Sequence, residues 1–216
     1  LMEKAGFVIL RGNLCDASVM KTSVISETFR KQYLSRPGQE NIFEVRAIVF
    51  DGPEDYHARI NNPSLGIDVN CILVIRGCGP VGYPGSAEVV NMQPPDALIK
   101  QGILELPTLG DGRQSGTSGS PSILNVSPES AVGGGLALLK TGDTIKIDLN
   151  QGSLDVMLDE SELDQRRNTI ESQQIEHQTP WQEIYRETVG QLSGGGIIEL
   201  AAKYKKIRNT IPRHSH

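Results

Sequence analysis

The residues 110–120, Gly110-Asp111-Gly112-Arg113-Gln114-Ser115-Gly116-Thr117-Ser118-Gly119-Ser120, hold four glycines, four hydroxyls, one carboxylate and one guanidinium, with almost no apolar side chain. Glycine lets backbone N–H groups come close to a ligand. Arg113 and the hydroxyls of Ser115 and Thr117 suit oxygen-rich groups such as carboxylates, sugars or phosphates. Ser115 is a candidate nucleophile or base, although a hydroxyl needs help to lose its proton. A Gly/Ser tether is the plain alternative. Leu106 and Leu109 before the stretch, and Ile123, Leu124 and Val126 after it, pin it between apolar segments and favour a site.

A second glycine-rich stretch, Gly77-Cys78-Gly79-Pro80-Val81-Gly82-Tyr83-Pro84-Gly85, leads to Glu88, a lone carboxylate among Ala87, Val89 and Val90. If buried, that carboxylate needs a partner. A hard cation such as magnesium, taken through oxygen, is one candidate, and an arginine or a place on the rim is the other. The spacing shows no Ser-His-Asp arrangement, no Gly-x-Ser-x-Gly elbow and no Walker lysine. His57 reads as a packed or surface histidine, and His214 and His216 in the tail are weak ligand candidates.

These stretches must be carried by a framework. With 216 residues, 38% of them hydrophobic, the chain can bury a core as one domain with an appendage. A net charge of −5 and the lack of a basic tract argue against a nucleic-acid partner. No apolar run reaches the ~20 residues that span a bilayer, and no signal peptide opens the chain. Cys15, Cys71 and Cys78 are too few and too scattered for a disulfide framework, so reduced, buried thiols and a cytoplasmic location are expected.

Strands are expected at Phe7–Leu10, Val19–Ile25, Val45–Phe50 and Cys71–Arg76, and a hairpin at Thr144–Leu149 and Leu154–Leu158 around Asn150-Gln151-Gly152. Short helices are expected after Ser26, after Asp51-Gly52-Pro53 and after Pro94-Pro95-Asp96, and also at Ser127-Pro128-Glu129, with Ser127 as cap. Glu162–Arg167 reads as a charged helix, Asn168–Thr179 as a polar connector, and Trp181–Leu192 as an amphipathic helix broken by Ser193-Gly194-Gly195-Gly196. About eight short strands with short helices between them make an α+β, barrel-like domain over residues 1–167, followed by a helical C-terminal arm and tail over 168–216.

Residues 77–88 and 110–119 resemble the two C-terminal motifs of the dihydroxy-acid and aldonic-acid dehydratases. Ser127-Pro128-Glu129-Ser130-Ala131, Gly142-Asp143 and Arg11-Gly12-Asn13-Leu14 fit neighbouring segments of that family. Tyr83-Pro84 and Asp51-Gly52-Pro53-Glu54-Asp55-Tyr56-His57 are similar to its sugar-acid branch, the xylonate and arabinonate type. The likeness covers most of residues 7–167. Cys15-Asp16-Ala17-Ser18 departs from it, where many members have a Pro-Asp-Gly turn.

The resemblance implies a swivelling β/β/α domain with a β-barrel-like core and flanking helices. It implies a hydro-lyase that removes water from a 2,3-dihydroxy sugar acid to give a 2-keto-3-deoxy acid. An iron–sulfur cluster and a magnesium ion would lie between this domain and a large N-terminal domain that holds the cluster cysteines. Glu88 would be the magnesium ligand from this half, Ser115 the base for the C2 proton, and Thr117 its neighbour. Arg113 would bind the substrate carboxylate or brace the loop, with bracing favoured. The chain alone would be inactive, and the whole enzyme a homo-oligomer, dimer or tetramer. The competing readings are a non-catalytic swivelling module and the small subunit of an aconitase-like isomerase.

Overall fold

A computed structural model describes residues 6–115, 121–170 and 176–204. Its centre is a closed eight-stranded barrel: β1 (Phe7–Gly12), β2 (Cys15–Lys21), β3 (Ile42–Asp51), β4 (Cys71–Arg76), β5 (Thr108–Gly110), β6 (Ser122–Ser127), β7 (Thr144–Asp148) and β8 (Ser153–Val156). The order around the barrel is β1-β2-β6-β5-β4-β3-β7-β8. The β3–β4, β4–β5, β5–β6 and β1–β8 pairs are parallel, while β1–β2, β2–β6, β3–β7 and β7–β8 are antiparallel. Short helices flank the barrel: α1 (Glu27–Phe29), α2 (Gly52–Arg59), α3 (Asp96–Ile99), α4 (Glu160–Thr169), α5 (Pro180–Thr188) and α6 (Glu199–Ala202). This is the α+β, swivelling β/β/α architecture expected from the sequence.

The unbroken apolar runs of β3 and β4 have a direct cause. Val45, Ala47 and Val49 of β3, with Ile72 and Val74 of β4, join one core with Leu10, Met20, Leu109, Ile123, Ile145 and Leu154. The alternate residues Ile48, Phe50, Cys71, Leu73 and Ile75 form a second core with Val90, Met92, Leu98 and Leu106. Both faces of these strands are thus covered, one by the barrel and one by α2, α3 and their loops, which leaves no position for alternating polar residues. Each Val, Leu, Ile, Phe or Met among them contributes on the order of 1.5–3 kcal/mol when fully buried.

Helix ends follow their capping chemistry. The Ser26 hydroxyl accepts from the Phe29 N–H at 3.0 Å, and the Asp159 carboxylate accepts from the Glu162 N–H at 2.8 Å. α4 is held to the barrel by Arg166, whose guanidinium meets both oxygens of Asp143 at 2.6 and 3.0 Å and donates to the Leu138 carbonyl at 2.9 Å.

Three expectations need correction. β2 begins at Cys15 and ends at Lys21, with a 3-10 turn at Thr22–Val24, because the tight turn at Asn13-Leu14 sends the chain straight back along β1. Cys15–Ser18 is therefore strand, not loop. Ser127 belongs to β6, the Ser127–Pro128 peptide is cis, and only a 3-10 turn, Ser130–Val132, follows. Ser127 is thus no helix cap. α5 stops at Thr188, since Val189 leaves the helix to make a β-bridge with Ile198.

No helix among the described residues is long and apolar enough to cross a membrane. The cysteines are free and buried, Cys15 in the first core and Cys71 and Cys78 in the second. Burial pushes the Cys15 thiol up to about 11, and raises Cys71 and Cys78 as well. At pH 8 a thiol-specific disulfide reagent is therefore expected to leave all three unlabelled in the native chain and to label all three in denaturant. Rapid labelling of one native thiol would contradict the burial described here.

Candidate functional site

β4 and β5 are parallel neighbours in register, with Ile75 opposite Gly110, so the chain leaves both strands at the same end of the barrel. One exit opens the loop from Gly77, the other the loop from Asp111. Parallel pairing therefore puts the two glycine-rich stretches side by side although 33 residues separate Cys78 from Asp111.

Asp111 clasps them. Its carboxylate is fully buried and accepts from the N–H groups of Gly77 (3.1 Å), Cys78 (2.8 Å) and Ser130 (2.9 Å), and from the Ser130 hydroxyl (2.6 Å). A buried carboxylate is tolerable only with such a set of donors. Gly112 follows because a Cβ there would lie 2.8 Å from the Ala87 carbonyl oxygen and 3.0 Å from the Cys78 Cβ.

Arg113 then runs beside the segment that carries Glu88. Its N–H donates to the Ala87 carbonyl at 2.9 Å, and its own carbonyl accepts from the Val90 N–H at 3.2 Å. The Nε donates to the Ser86 carbonyl at 2.7 Å, and Nη1 lies 3.8 Å from Glu88 Oε1. Arg113 thus braces the loop through its backbone and its Nε. Glu88 is not a buried lone charge: its side chain is 49% exposed, a rim carboxylate with an arginine neighbour. An ion pair this exposed contributes well under about 1 kcal/mol, so it holds Glu88 loosely.

Ser115 follows two residues later, partly buried. The loop's exit is tied down by Gln114, whose amide donates to the Ser122 hydroxyl at 3.3 Å, and by the buried Thr108–Ser122 hydroxyl pair at 2.6 Å. Asn125 donates its N–H to the Gly112 carbonyl at 2.9 Å, while its Oδ1 is buried without a partner among the described residues. Thr117 lies outside the described residues, as do His214 and His216. His57 is an exposed residue of α2 set against the Tyr56 ring, 5.0 Å between centroids, in keeping with a surface histidine.

Two buried acids at the site, Asp111 and Glu129, had been given no role from the sequence. Glu129 is fully buried and accepts from the N–H groups of Val81 (2.9 Å) and Gly82 (2.8 Å) and from the Gln191 side-chain amide (2.8 Å). Burial pushes its carboxyl above the usual range, and the bonds from Gly82, Val81 and Gln191 oppose that rise. The available signal was an acid placed next to glycine or proline between apolar strands.

A cleft of about 850 Å³ lies against the first loop and is lined by Asp51, Glu54, Arg76, Gly77, Tyr83 and Arg167, among others. Glu88, Arg113 and Ser115 do not line it. Glu88 and Arg113 stand about half exposed outside it, and Ser115 is partly buried.

The donor set limits what this chain can hold. Among the described residues no three His, Cys, Asp or Glu side chains converge as a metal site. Glu88, solvent-facing and oxygen-donating, fits a magnesium ion as one ligand of a site completed by other groups, since magnesium takes one or two carboxylates and keeps several other oxygens. The three thiols do not fit an iron–sulfur cluster, being buried, divided between two cores and held toward the protonated form.

A model of the family described as dihydroxy-acid/6-phosphogluconate dehydratase C-terminal matches residues 1–196. The chain is 62% identical over its whole length to D-xylonate dehydratase of Caulobacter vibrioides, of which it covers 36%. It is 41% identical over 77% of its length to L-arabinonate dehydratase of Rhizobium leguminosarum bv. trifolii, covering 27% of that protein. Against dihydroxy-acid dehydratase of Clostridium kluyveri the identity is 35% over 90% of the chain and 33% of the relative. The chain thus spans about a third of the length of the relatives it matches. With both glycine-rich motifs leaving adjacent strands of one barrel, the protein belongs to the C-terminal family of the dihydroxy-acid and 6-phosphogluconate dehydratases, and is most like the sugar-acid members among the relatives named here.

Proposed function

We propose that residues 1–167 are the catalytic-half domain of a hydro-lyase that dehydrates a 2,3-dihydroxy sugar acid to a 2-keto-3-deoxy acid. The observation that carries this reading is the pairing of Arg113 with Ala87 and Val90, which joins the Glu88 segment to the Ser115 loop on an open rim. An open rim suits a half-site facing an N-terminal domain of the same enzyme, and the whole enzyme is proposed to be a homo-oligomer acting in the cytoplasm.

In this reading Ser115, as its alkoxide, takes the C2 proton, the C2–H electron pair forms the C2=C3 bond and the C3–O bond breaks, so that the hydroxide leaving C3 and the proton taken from C2 make up the water removed. The enol formed then tautomerises to the ketone. A serine serves as a base only where nearby positive charge lowers its pKa, and Arg113 is the cation of this chain nearest in sequence. Arg113, Ser115 and Thr117 bind the acid, while Glu88 holds magnesium at the rim. When bound, magnesium would act as a Lewis acid on the substrate's oxygens and favour loss of the C2 proton. The iron–sulfur cluster implied by the family belongs outside this chain, because the thiols here do not fit it.

In the full-length enzyme, Ser115→Ala is expected to lower kcat by at least about a hundredfold, the usual scale for a lost general base, with an unchanged circular dichroism spectrum and melting temperature. Near-normal turnover would remove Ser115 from the mechanism. Glu88→Gln is expected to weaken magnesium binding, read by calorimetric titration, by at least roughly tenfold, given that outer-shell changes alone cost 10–100-fold. An unchanged affinity would refute Glu88 as a ligand.

A further inference from the structure

The turn that leads into Glu88 is held from two sides. The Val81 N–H is bound by Glu129, and the Val81 carbonyl accepts from the Arg186 Nε at 2.9 Å. Arg186 lies in α5, and Glu129 is itself tied to the C-terminal arm. The Gln191 amide donates to Glu129 Oε1 at 2.8 Å, and the Gln191 Oε1 accepts from the Glu129 N–H at 2.8 Å. The Ser193 N–H donates to the Ser127 hydroxyl at 3.2 Å, so the arm follows the same loop for several residues. At Gly79 the loop backbone lies flat on the Glu129 carboxyl, where a Cβ would collide.

The path continues to the site. Tyr83 N–H donates to Gly79 carbonyl at 2.8 Å, and Ser86 N–H to Tyr83 carbonyl at 2.7 Å. Ser86 is buried, takes a left-handed φ of 58°, and offers its carbonyl to Arg113. Glu88 is two residues further on. Its loose pairing with Arg113 leaves the backbone of 79–87 as the main determinant of where its carboxylate stands.

We propose that Glu129, Gln191 and Arg186 are positioning residues: they couple the C-terminal arm to the 79–86 turn and thereby set the Glu88 carboxylate. The proposal rests on Glu88 being a magnesium ligand. The arm is then a working part of the site, acting through the turn. A coupling of this kind acts as outer-shell support does in metal sites, where its loss costs about 10–100-fold in affinity.

The test uses the full-length enzyme with Gln191→Ala, Arg186→Met and their combination, beside Glu88→Gln. Gln191 and Arg186 lie outside both cores, so the barrel is expected to keep its fold, with a modest drop in melting temperature from the Glu129 N–H left without Gln191. The combined variant should weaken magnesium binding about tenfold or more, and its activity should return at saturating magnesium, which a general loss of structure would not allow. Hydrogen exchange in peptides covering residues 79–88 should quicken, while β3 and β4 keep their protection. Magnesium affinity within twofold of the parent, with Glu88→Gln weakened as expected, would overturn the coupling and leave the role of Glu88 standing. Unchanged affinity in Glu88→Gln would overturn both. Unchanged exchange at 79–88 would overturn the coupling even if a variant lost stability.

Discussion

The Asp111 carboxylate is the contact on which the arrangement of the site depends. Its four donors come from the loop after β4 and from Ser130, beyond β6, so one side chain holds three separate segments at the end of the barrel. Left unpaired at this depth, the charge would cost several kcal/mol, and each stranded donor about 1–3 kcal/mol more. The same chemistry recurs at Glu129. Two buried acids therefore take the place of the regular ladder that strands would have given these loops.

The barrel supplies the rigid base. Strands covered on both faces cannot shift register without moving large side chains such as Phe50 and Ile75 out of one core and into the other. Because β4 and β5 are locked in this way, their exits stay adjacent and the glycine-rich loops can be built without regular structure of their own. Glycine at 112 is then a consequence of close packing, since the backbone passes within contact of Ala87 and Cys78.

The two fully buried acids occupy a different setting from the two charges on the rim. Asp111 and Glu129 are fully buried, whereas Glu88 and Arg113 are each about half exposed, at 49% and 48%. Bracing acids gain from a dry surrounding that strengthens their hydrogen bonds. A carboxylate meant for a cation or a second surface must keep open coordination positions.

Much of this was legible in the sequence. The runs Cys71–Arg76 and Val45–Phe50, the hairpin around Asn150-Gln151-Gly152 and the Ser26 cap were visible because they depend on neighbours in the chain. The glycine-rich stretches stood out by composition, and residues 77–88 and 110–119 as motifs carried the family resemblance. What the tertiary structure alone decided is which distant groups meet. Asp111 with Cys78, Glu129 with Gln191 and Arg186 with Val81 are 33, 62 and 105 residues apart, and no local period encodes such pairs. It also decided that Glu88 is a rim carboxylate, that Ser127 ends a strand before a cis peptide, and that α5 yields to a bridge at Val189. The physical reason is the same in each case: local propensity sets which element a segment can form, while burial and hydrogen-bond satisfaction across the closed barrel select among those possibilities.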